Sequence, residues 1–395
     1  MKILAFPYHD WRKGEVEGMR WRDGHLLEVL GAHPAVTELL VVDRPVSLAE
    51  RLVRRAAPTA SGDRIAARRA GRFGARLTRV ADRTAVLDMT APDLLAPIRR
   101  RYRWWFDVFA RREVIELVRW ASDTLLGPRP AAIAWMPTVA PPIEAVNPGR
   151  LVFDSLDNWL LHPQLRRYGD AAEDGYARLL PRADAVLVSA PRSRDALQRW
   201  SDDIEIVPNG VSPHQFTGPV ERPGDLPATP IVGYAGSLGP RIDVELVVEV
   251  ARQMPHVTFA FIGQTLDRTT ARALQSSANV LVLGDRHYSE VPAYVRSFDL
   301  AWIPHAIGAG ESGGDPIKMY EYWAAGRDVI TTPIDGLDRW QASLHFVRSP
   351  EEAVTTIAGL LDGVVHPKRA TVPDDRTWEA IADRILARLR GTETT

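Results

Sequence analysis

Three consecutive stretches, Asp299-Leu-Ala-Trp-Ile-Pro304, Asp315-Pro-Ile-Lys-Met-Tyr-Glu-Tyr-Trp-Ala-Ala-Gly326 and Asp328-Val-Ile-Thr331, decide how this 395-residue chain is read. The outer two are short apolar runs of strand length, and the middle one is longer and amphipathic, so together they spell strand, helix, strand. A connection of that kind joins parallel strands of one sheet. Within the middle stretch, Asp315 suits an N-cap and Pro316 the first helical position, where a missing N–H costs nothing. The free N–H groups at such a helix start, Ile317 among them, attract an anion. Lys318 adds a full charge, and Glu321 follows three residues later on the same face. A diphosphate beside a sugar hydroxyl satisfies both groups, whereas an ordinary exposed ion pair is the plainer alternative.

Working outward, the same alternation runs the length of the chain. Apolar runs at Lys2–Pro7, Val36–Val42, Ala85–Met89, Ala132–Met136, Leu151–Asp154, Ala185–Ser189 and Ile204–Val207 read as strands of a first half. Ile231–Ala235, Val257–Ile262, Val280–Leu283, Leu300–Ile303 and Asp328–Thr331 read as strands of a second. The expected class is α/β, with two Rossmann-like domains. Residues 1–212 form the first, the Pro- and Gly-rich 213–229 a linker, and 230–370 the second. A last helix over 376–390, apolar at Trp378, Ile381, Ile385, Leu386 and Leu389, needs a surface to cover and is expected to return to the N-terminal domain.

Composition narrows the class. Apolar content of 45% and charged content of 25% suit a globular chain. Cysteine is absent, so disulfides and thiolate metal sites are excluded and a cytoplasmic location is expected. No apolar run reaches membrane-spanning length. Net charge is -1, yet residues 1–213 carry 32 Lys and Arg against 27 Asp and Glu, and residues 214–395 carry 17 against 23. The excess lies in Arg51, Arg54, Arg55, Arg64, Arg68, Arg69, Arg72, Arg76 and Arg79, then in Arg99, Arg100, Arg101 and Arg103 beside Trp104, Trp105 and Phe106. Such a face suits peripheral contact with an anionic membrane or a charged acceptor. Solvated faces of Arg-rich helices are the competing reading. The 56–80 region carries no clear period, and no partnership with nucleic acid is expected.

Candidate chemistry sits where strands end. Gly236-Ser237-Leu-Gly-Pro-Arg241 follows Ile231–Ala235 as a two-glycine turn, with Arg241 expected in the first helical turn, where an external phosphate explains a cation better than helix stability does. Gly263, the run Arg286-His287-Tyr288, and Gly314 before Asp315 complete the donor-side candidates. In the first half, His9 and Asp157 are acid/base candidates, and Arg20, Arg22 and Asp23 are acceptor-side candidates. Asp154 and Asp157 are the clustered carboxylates, and their spacing indicates no metal. No P-loop, H-E-x-x-H, G-x-S-x-G or G-x-G-x-x-G motif occurs.

The motifs Tyr234-Ala-Gly-Ser-Leu, Leu283-Gly284, Val291-Pro-Ala-Tyr294, Asp299 to Pro304 and Pro316 to Gly326 closely resemble those of GT-B glycosyltransferases of the family 4 type (group 1), particularly bacterial polysaccharide enzymes. Val207-Pro-Asn-Gly-Val211 is similar to that family's hinge. The resemblance is specific mainly beyond residue 205. It implies two Rossmann-like domains facing a cleft and a nucleotide-sugar donor whose base, among UDP, GDP, ADP and TDP, is left open. The acceptor it implies is a sugar, a lipid-linked group or a small molecule. Transfer is expected to proceed with retention, with no cofactor and no metal. Arg241 and Lys318 would hold the diphosphate, Glu321 the ribose, and main-chain groups of Arg286 to Tyr288 the base. One departure is Gly313, where the family has the first Glu of a pair. An epimerase or phosphorylase on the same fold, or a catalytically silent binding protein, are the alternatives.

Overall fold

The computed structural model describes residues 1–54, 59–162, 164–308, 315–368 and 370–391, without the side chains of residues 53 and 54. The chain divides into two units, one of Met1–Pro208 with the residues from Trp378 onward, the other of Asn209–Thr377. Residues 213–229, read from sequence as a linker, supply Phe216 and Leu226 to the core of the second unit.

The first unit is built on one sheet. Seven strands run parallel in the spatial order Ile204–Ile206, Ala185–Val188, Arg150–Ser155, Ala131–Ala134, Lys2–Phe6, Glu38–Val42, Thr84–Ala91. Their central members are continuous runs of buried residues, as strands covered on both faces must be. Beyond Thr84–Ala91 the sheet continues antiparallel through Phe73–Ala81 to Asp63–Ala70. Here the helical reading of the Arg-rich stretch is overturned. Residues 63–81 are a hairpin whose outer strand is exposed at Asp63, Arg64, Ile65, Arg68 and Arg69. Charges on an edge strand discourage pairing with another chain, which accounts for arginines that no helical period could explain. Two of them are tied down, Arg68 to Glu116 at 3.0 Å and Arg79 to Glu38 at 2.7 Å. Arg54 and Arg55 lie wholly or in their side chains outside the described residues.

The helix Trp378–Arg390 buries Trp378, Ile381, Ile385, Leu386 and Leu389, the face its spacing predicted. Trp378 stacks on His25 of the helix Arg22–Ala32, ring centroids 5.0 Å apart, and Arg388 donates to Glu205 at 2.9 Å. Burial pushes the His25 imidazole down to about 3 from an ordinary 6.5. The unfolded chain therefore binds the extra proton between those two values. Stability is whole above about pH 6.5 and falls on acidification by up to about 1.4 kcal/mol per pH unit. Between pH 7 and pH 5 the melting temperature should fall further for the parent than for His25→Phe, which keeps the stack without the titration. Parallel declines would remove His25 as the responsive group.

The second unit holds six parallel strands in the order Val280–Gly284, Thr258–Ile262, Ile231–Ala235, Leu300–Ile303, Asp328–Thr331, His345–Phe346. In chain order this is 3-2-1-4-5-6. The direction of winding reverses between Ile231–Ala235 and Leu300–Ile303, and the crevice at the carboxyl ends of two such strands is where an open α/β sheet binds ligands. In the first unit the corresponding reversal lies between Lys2–Phe6 and Ala131–Ala134, which puts Tyr8 and His9 at its mouth.

Candidate functional site

In the second unit, backbone bonds knit together the loops that leave the central strands. Gly236 N–H donates to the Ile262 carbonyl at 2.8 Å, Leu238 N–H to Gln264 at 2.8 Å, and Ala306 N–H to Arg241 at 2.8 Å. Gly236 has φ of +152° and Gly263 +140°, conformations that glycine adopts without strain. A side chain would not fit at either place. A Cβ on Gly263 would lie 2.2 Å from the Gly236 carbonyl oxygen, and one on Gly236 would lie 2.7 Å from Lys318 Cε and 3.2 Å from its Nζ. The Lys318 amine thus rests directly against the bare backbone of the Gly236 turn, 5.1 Å from the centre of the Tyr234 ring. Its side chain is half-buried, and it has no hydrogen-bond or ion-pair partner among the described residues.

The helix carrying Lys318 spans Ile317–Ala324, with Pro316 in the N-cap position and no side-chain cap. The expected Asp315 cap is therefore corrected. Asp315 is buried and its carboxylate is spent elsewhere. It accepts from Tyr320 Oη at 2.7 Å, from Arg339 Nη2 at 2.6 Å and from the Asn209 N–H, while Asn209 Nδ2 donates to the Asp315 carbonyl at 2.6 Å. Its work is to fasten the segment after Pro208 to the start of this helix. Met319 N–H donates to the Pro316 carbonyl at 3.0 Å, whereas the N–H groups of Ile317 and Lys318 meet no acceptor among the described residues, and the helix offers its positive end.

One turn on, Glu321 is 5% exposed and accepts from Tyr288 Oη at 2.7 Å. Burial raises its carboxyl above the ordinary value, against the pull of that bond and of the Lys318 charge. Tyr322 accepts the Ala235 N–H at 2.8 Å, which locks helix to strand behind the site. Arg241 is exposed and precedes the helix Val244–Gln253, whose N-cap is Asp243, accepting from Leu246 N–H at 3.0 Å. The first-turn placement of Arg241 is corrected accordingly: it sits on the loop, its guanidinium unpaired among the described residues. Ser237 is exposed on the same turn. Arg286 is held by Asp225 at 2.8 Å and Tyr294 at 2.9 Å, and His287 faces Ser289 Oγ at 2.8 Å. Gly314, together with Glu311 and Gly313, lies outside the described residues.

In the first unit, His9 and Asp23 prove to be one device. Asp23 is fully buried in the first turn of Arg22–Ala32, and it takes the His9 backbone N–H at 2.7 Å and faces His9 Nδ1 at 2.9 Å. Burial alone would raise the Asp23 carboxyl, but the His9 imidazole and the bonds it receives hold it below its ordinary value. The His9 ring lies flat on Trp21, centroids 4.1 Å apart, and with Nδ1 on Asp23 its Nε2 has no partner among the described residues. The loop behind is anchored by Asp43, which takes Trp11 N–H at 2.7 Å and Arg12 Nε at 3.0 Å.

Arg22 is corrected from an acceptor contact to a buried strut. It is 1% exposed and donates through Nε to Asp154 at 2.8 Å and through Nη1 to the Pro208 carbonyl at 2.9 Å, while Trp135 Nε1 donates to Asp154 at 2.9 Å. Arg20 reaches back to Glu17. Asp157 is half-buried. Burial first, and then the Asp157 charge, push the Tyr8 hydroxyl above its ordinary value. Tyr8 also belongs to an aromatic cluster that sequence reading missed, packing edge-on to Trp105 at 5.8 Å, with Tyr102 beside Trp105 at 4.8 Å and Tyr168 at 5.9 Å from Tyr102. These four half-buried rings come from distant parts of the chain and show no common period.

Comparison with known proteins agrees with this fold. Residues 229–363 match the model of the family described as glycosyl transferases group 1. A Bacillus subtilis (strain 168) protein carrying the name teichuronic acid biosynthesis glycosyltransferase TuaH is 24% identical over 211 residues, 49% of this chain. That match spans about half (52%) of the relative's own length. Among solved structures, sucrose-phosphate synthase from Thermosynechococcus elongatus superposes with a TM-score of 0.68 at 15% identity, covering 99% of this chain and 98% of the other. Anabaena HepE, solved with UDP and glucose, superposes at 0.61 and 14% identity over 99% and 98%. The chain as a whole has the GT-B fold, and its residues 229–363 match the group 1 glycosyltransferases.

Proposed function

We propose that the chain transfers a glycosyl group from a nucleoside-diphosphate sugar, bound by the second unit, to a hydroxyl of an acceptor, with retention and without a metal. The observation that carries this reading is the Lys318 amine lying on the bare Gly236 turn at the sheet's reversal point. As the bond between sugar and phosphate breaks, the departing diphosphate gains charge. Lys318, Arg241, the open N–H groups near Ile317 and the close-packed backbone of Gly236, Ser237 and Gly263 are ordered beforehand to meet it, so they stabilise the transition state more than the ground state. Glu321, buried and oriented by Tyr288, suits the ribose hydroxyls. The main chain at Arg286 to Tyr288 suits the base.

On the acceptor side, His9 with Asp23 behind it suits a proton acceptor for the incoming hydroxyl, with Asp157 nearby. The half-buried rings of Tyr8, Tyr102, Trp105 and Tyr168 offer faces on which a sugar could stack. Neighbours of the same fold support a nucleotide-sugar donor: HepE was solved with UDP and glucose, and an Escherichia coli trehalose-6-phosphate protein with UDP-2-fluoro glucose.

The test is a thermal-shift comparison of UDP, GDP, ADP and TDP in the presence of a chelator. A ligand binding only the folded chain stabilises it by about 2.7 kcal/mol at a hundred times its dissociation constant. One nucleotide diphosphate should raise the melting temperature, and Lys318→Ala should lose the shift. No shift from any of the four would overturn the donor reading, and a shift that needs an added divalent ion would overturn its metal-free form.

A further inference from the structure

Where the first unit's strand Thr84–Ala91 ends, the chain exposes apolar side chains that nothing in the proposed reaction uses. Leu94, Leu95 and Ile98 are 54%, 58% and 63% exposed, and the helix Ala96–Arg100 buries none of its residues. The short strand Val46–Ser47 pairs with Thr90 and Ala91, and from it rises the helix Leu48–Arg54, which exposes Leu48 and, at 77%, Leu52. Arg51 donates to Thr90 Oγ1 at 3.0 Å, so the two segments leave the same corner of the sheet. Single exposed leucines are ordinary, but five large apolar residues in two adjoining short segments are not.

Cations surround them. Arg99, Arg100, Arg101 and Arg103 are exposed. Arg100 pairs with Asp107 at 2.6 Å, whereas Arg99 and Arg101 have no acidic or hydrogen-bonding partner among the described residues. The loop is also held in place from beneath, since Asp93 accepts the buried Trp104 Nε1–H at 3.2 Å and Arg44 lies 5.0 Å from the centre of the Trp105 ring. Aliphatic tips on a fixed scaffold with unpaired guanidinium groups beside them match a surface that is apolar below and anionic above.

We propose that the first unit docks on an anionic lipid bilayer through this corner, with Leu94, Leu95, Ile98 and Leu52 entering the headgroup boundary and Arg99 and Arg101 pairing with lipid phosphates. The Arg-rich hairpin of residues 63–81 is not the contact: Arg68 and Arg79 are engaged by Glu116 and Glu38, and Ile65, 39% exposed, stands there without the neighbouring leucines that make up the corner. The proposal does not rest on the donor reading, because nucleotide shifts are measured on the chain without lipid and vesicle binding is measured without nucleotide.

The test is flotation with vesicles of phosphatidylcholine alone or mixed with phosphatidylglycerol. The parent should bind the mixed vesicles, release in high salt, and ignore the neutral ones. The double variant Arg99→Glu/Arg101→Glu should lose binding by about tenfold or more, since each basic group near the surface contributes separately. Leu94→Ser/Leu95→Ser/Ile98→Ser should lose a similar amount with only a small change in melting temperature, more than half of each side chain already being in water. Arg64→Glu/Arg69→Glu, on the hairpin, should bind as the parent does. Because the chain lacks cysteine, Ile98→Cys can carry an environment-sensitive dye, whose emission should shift to the blue on mixed vesicles, while the same dye at Val364→Cys in the second unit should not respond. Absent binding, equal binding to neutral vesicles, an equal loss in the hairpin variant, or an unresponsive dye at position 98 would each overturn the proposal.

Discussion

Lys318→Ala is expected to leave the chain folded and to remove most of its transfer activity, by roughly 2 to 4 kcal/mol of transition-state stabilisation, or about thirtyfold to a thousandfold in turnover. Folding should be spared because the amine is half-buried and makes no hydrogen bond or ion pair among the described residues, and because Glu321, which loses its neighbouring charge, keeps the Tyr288 bond. The effect should fall on turnover more than on the Michaelis constant, since the charge it meets develops as the leaving group departs. Steady-state kinetics with the donor identified by thermal shift would check this. An unchanged turnover number would remove Lys318 from the leaving-group role, and a loss accompanied by a lower melting temperature would reassign it to the structure.

Asp154→Ala should produce the largest effect on stability. It strands the Arg22 guanidinium, 1% exposed, and the indole N–H of Trp135 in the interior of the first unit. Breaking a buried ion pair from one side costs about 3 to 5 kcal/mol, because an uncompensated charge remains. Removing both charges together, as Arg22→Met/Asp154→Leu, should cost clearly less, since the double change leaves no buried charge. Denaturant unfolding of the three proteins, followed by a probe in the first unit, would decide. A single variant within 1 kcal/mol of the parent would mean that water or rearrangement satisfies Arg22, and that the pair is not the strut described here.

Much of the local structure around Lys318 was legible in the residues. A helix after a strand could be read from Met319, Tyr320, Tyr322 and Trp323 at helical spacing. The glycine turn could be read from two glycines at a strand end, and Lys318 and Glu321 from their three-residue offset. Each is a local pattern, and local patterns survive in any sequence listing. Asp315 was misread for the same reason. An aspartate before Pro-Ile-Lys is a sound local cap, and only the arrival of Asn209, Tyr320 and Arg339 around it turned the carboxylate away. The hairpin of residues 63–81 was illegible because arginine and alanine are good helix formers by intrinsic propensity, while the strand register is set only by pairing with Thr84–Ala91.

The sequence by itself determined the alternation of buried strands and amphipathic helices, the presence of two α/β units, the cation and carboxylate one turn apart on a helix, and the apolar face of the last helix. These depend on periods of two and 3.6 residues and on glycine's freedom, all properties of neighbours in the chain. The tertiary structure alone decided that His9 rests on Asp23, that Arg22 meets Asp154 across 132 positions, and that Tyr8, Tyr102, Trp105 and Tyr168 share one surface. The reason is physical. A buried charge must find its partner wherever strand order brings strand ends together, and strand order is settled by the packing of whole layers, which no window of adjacent residues contains.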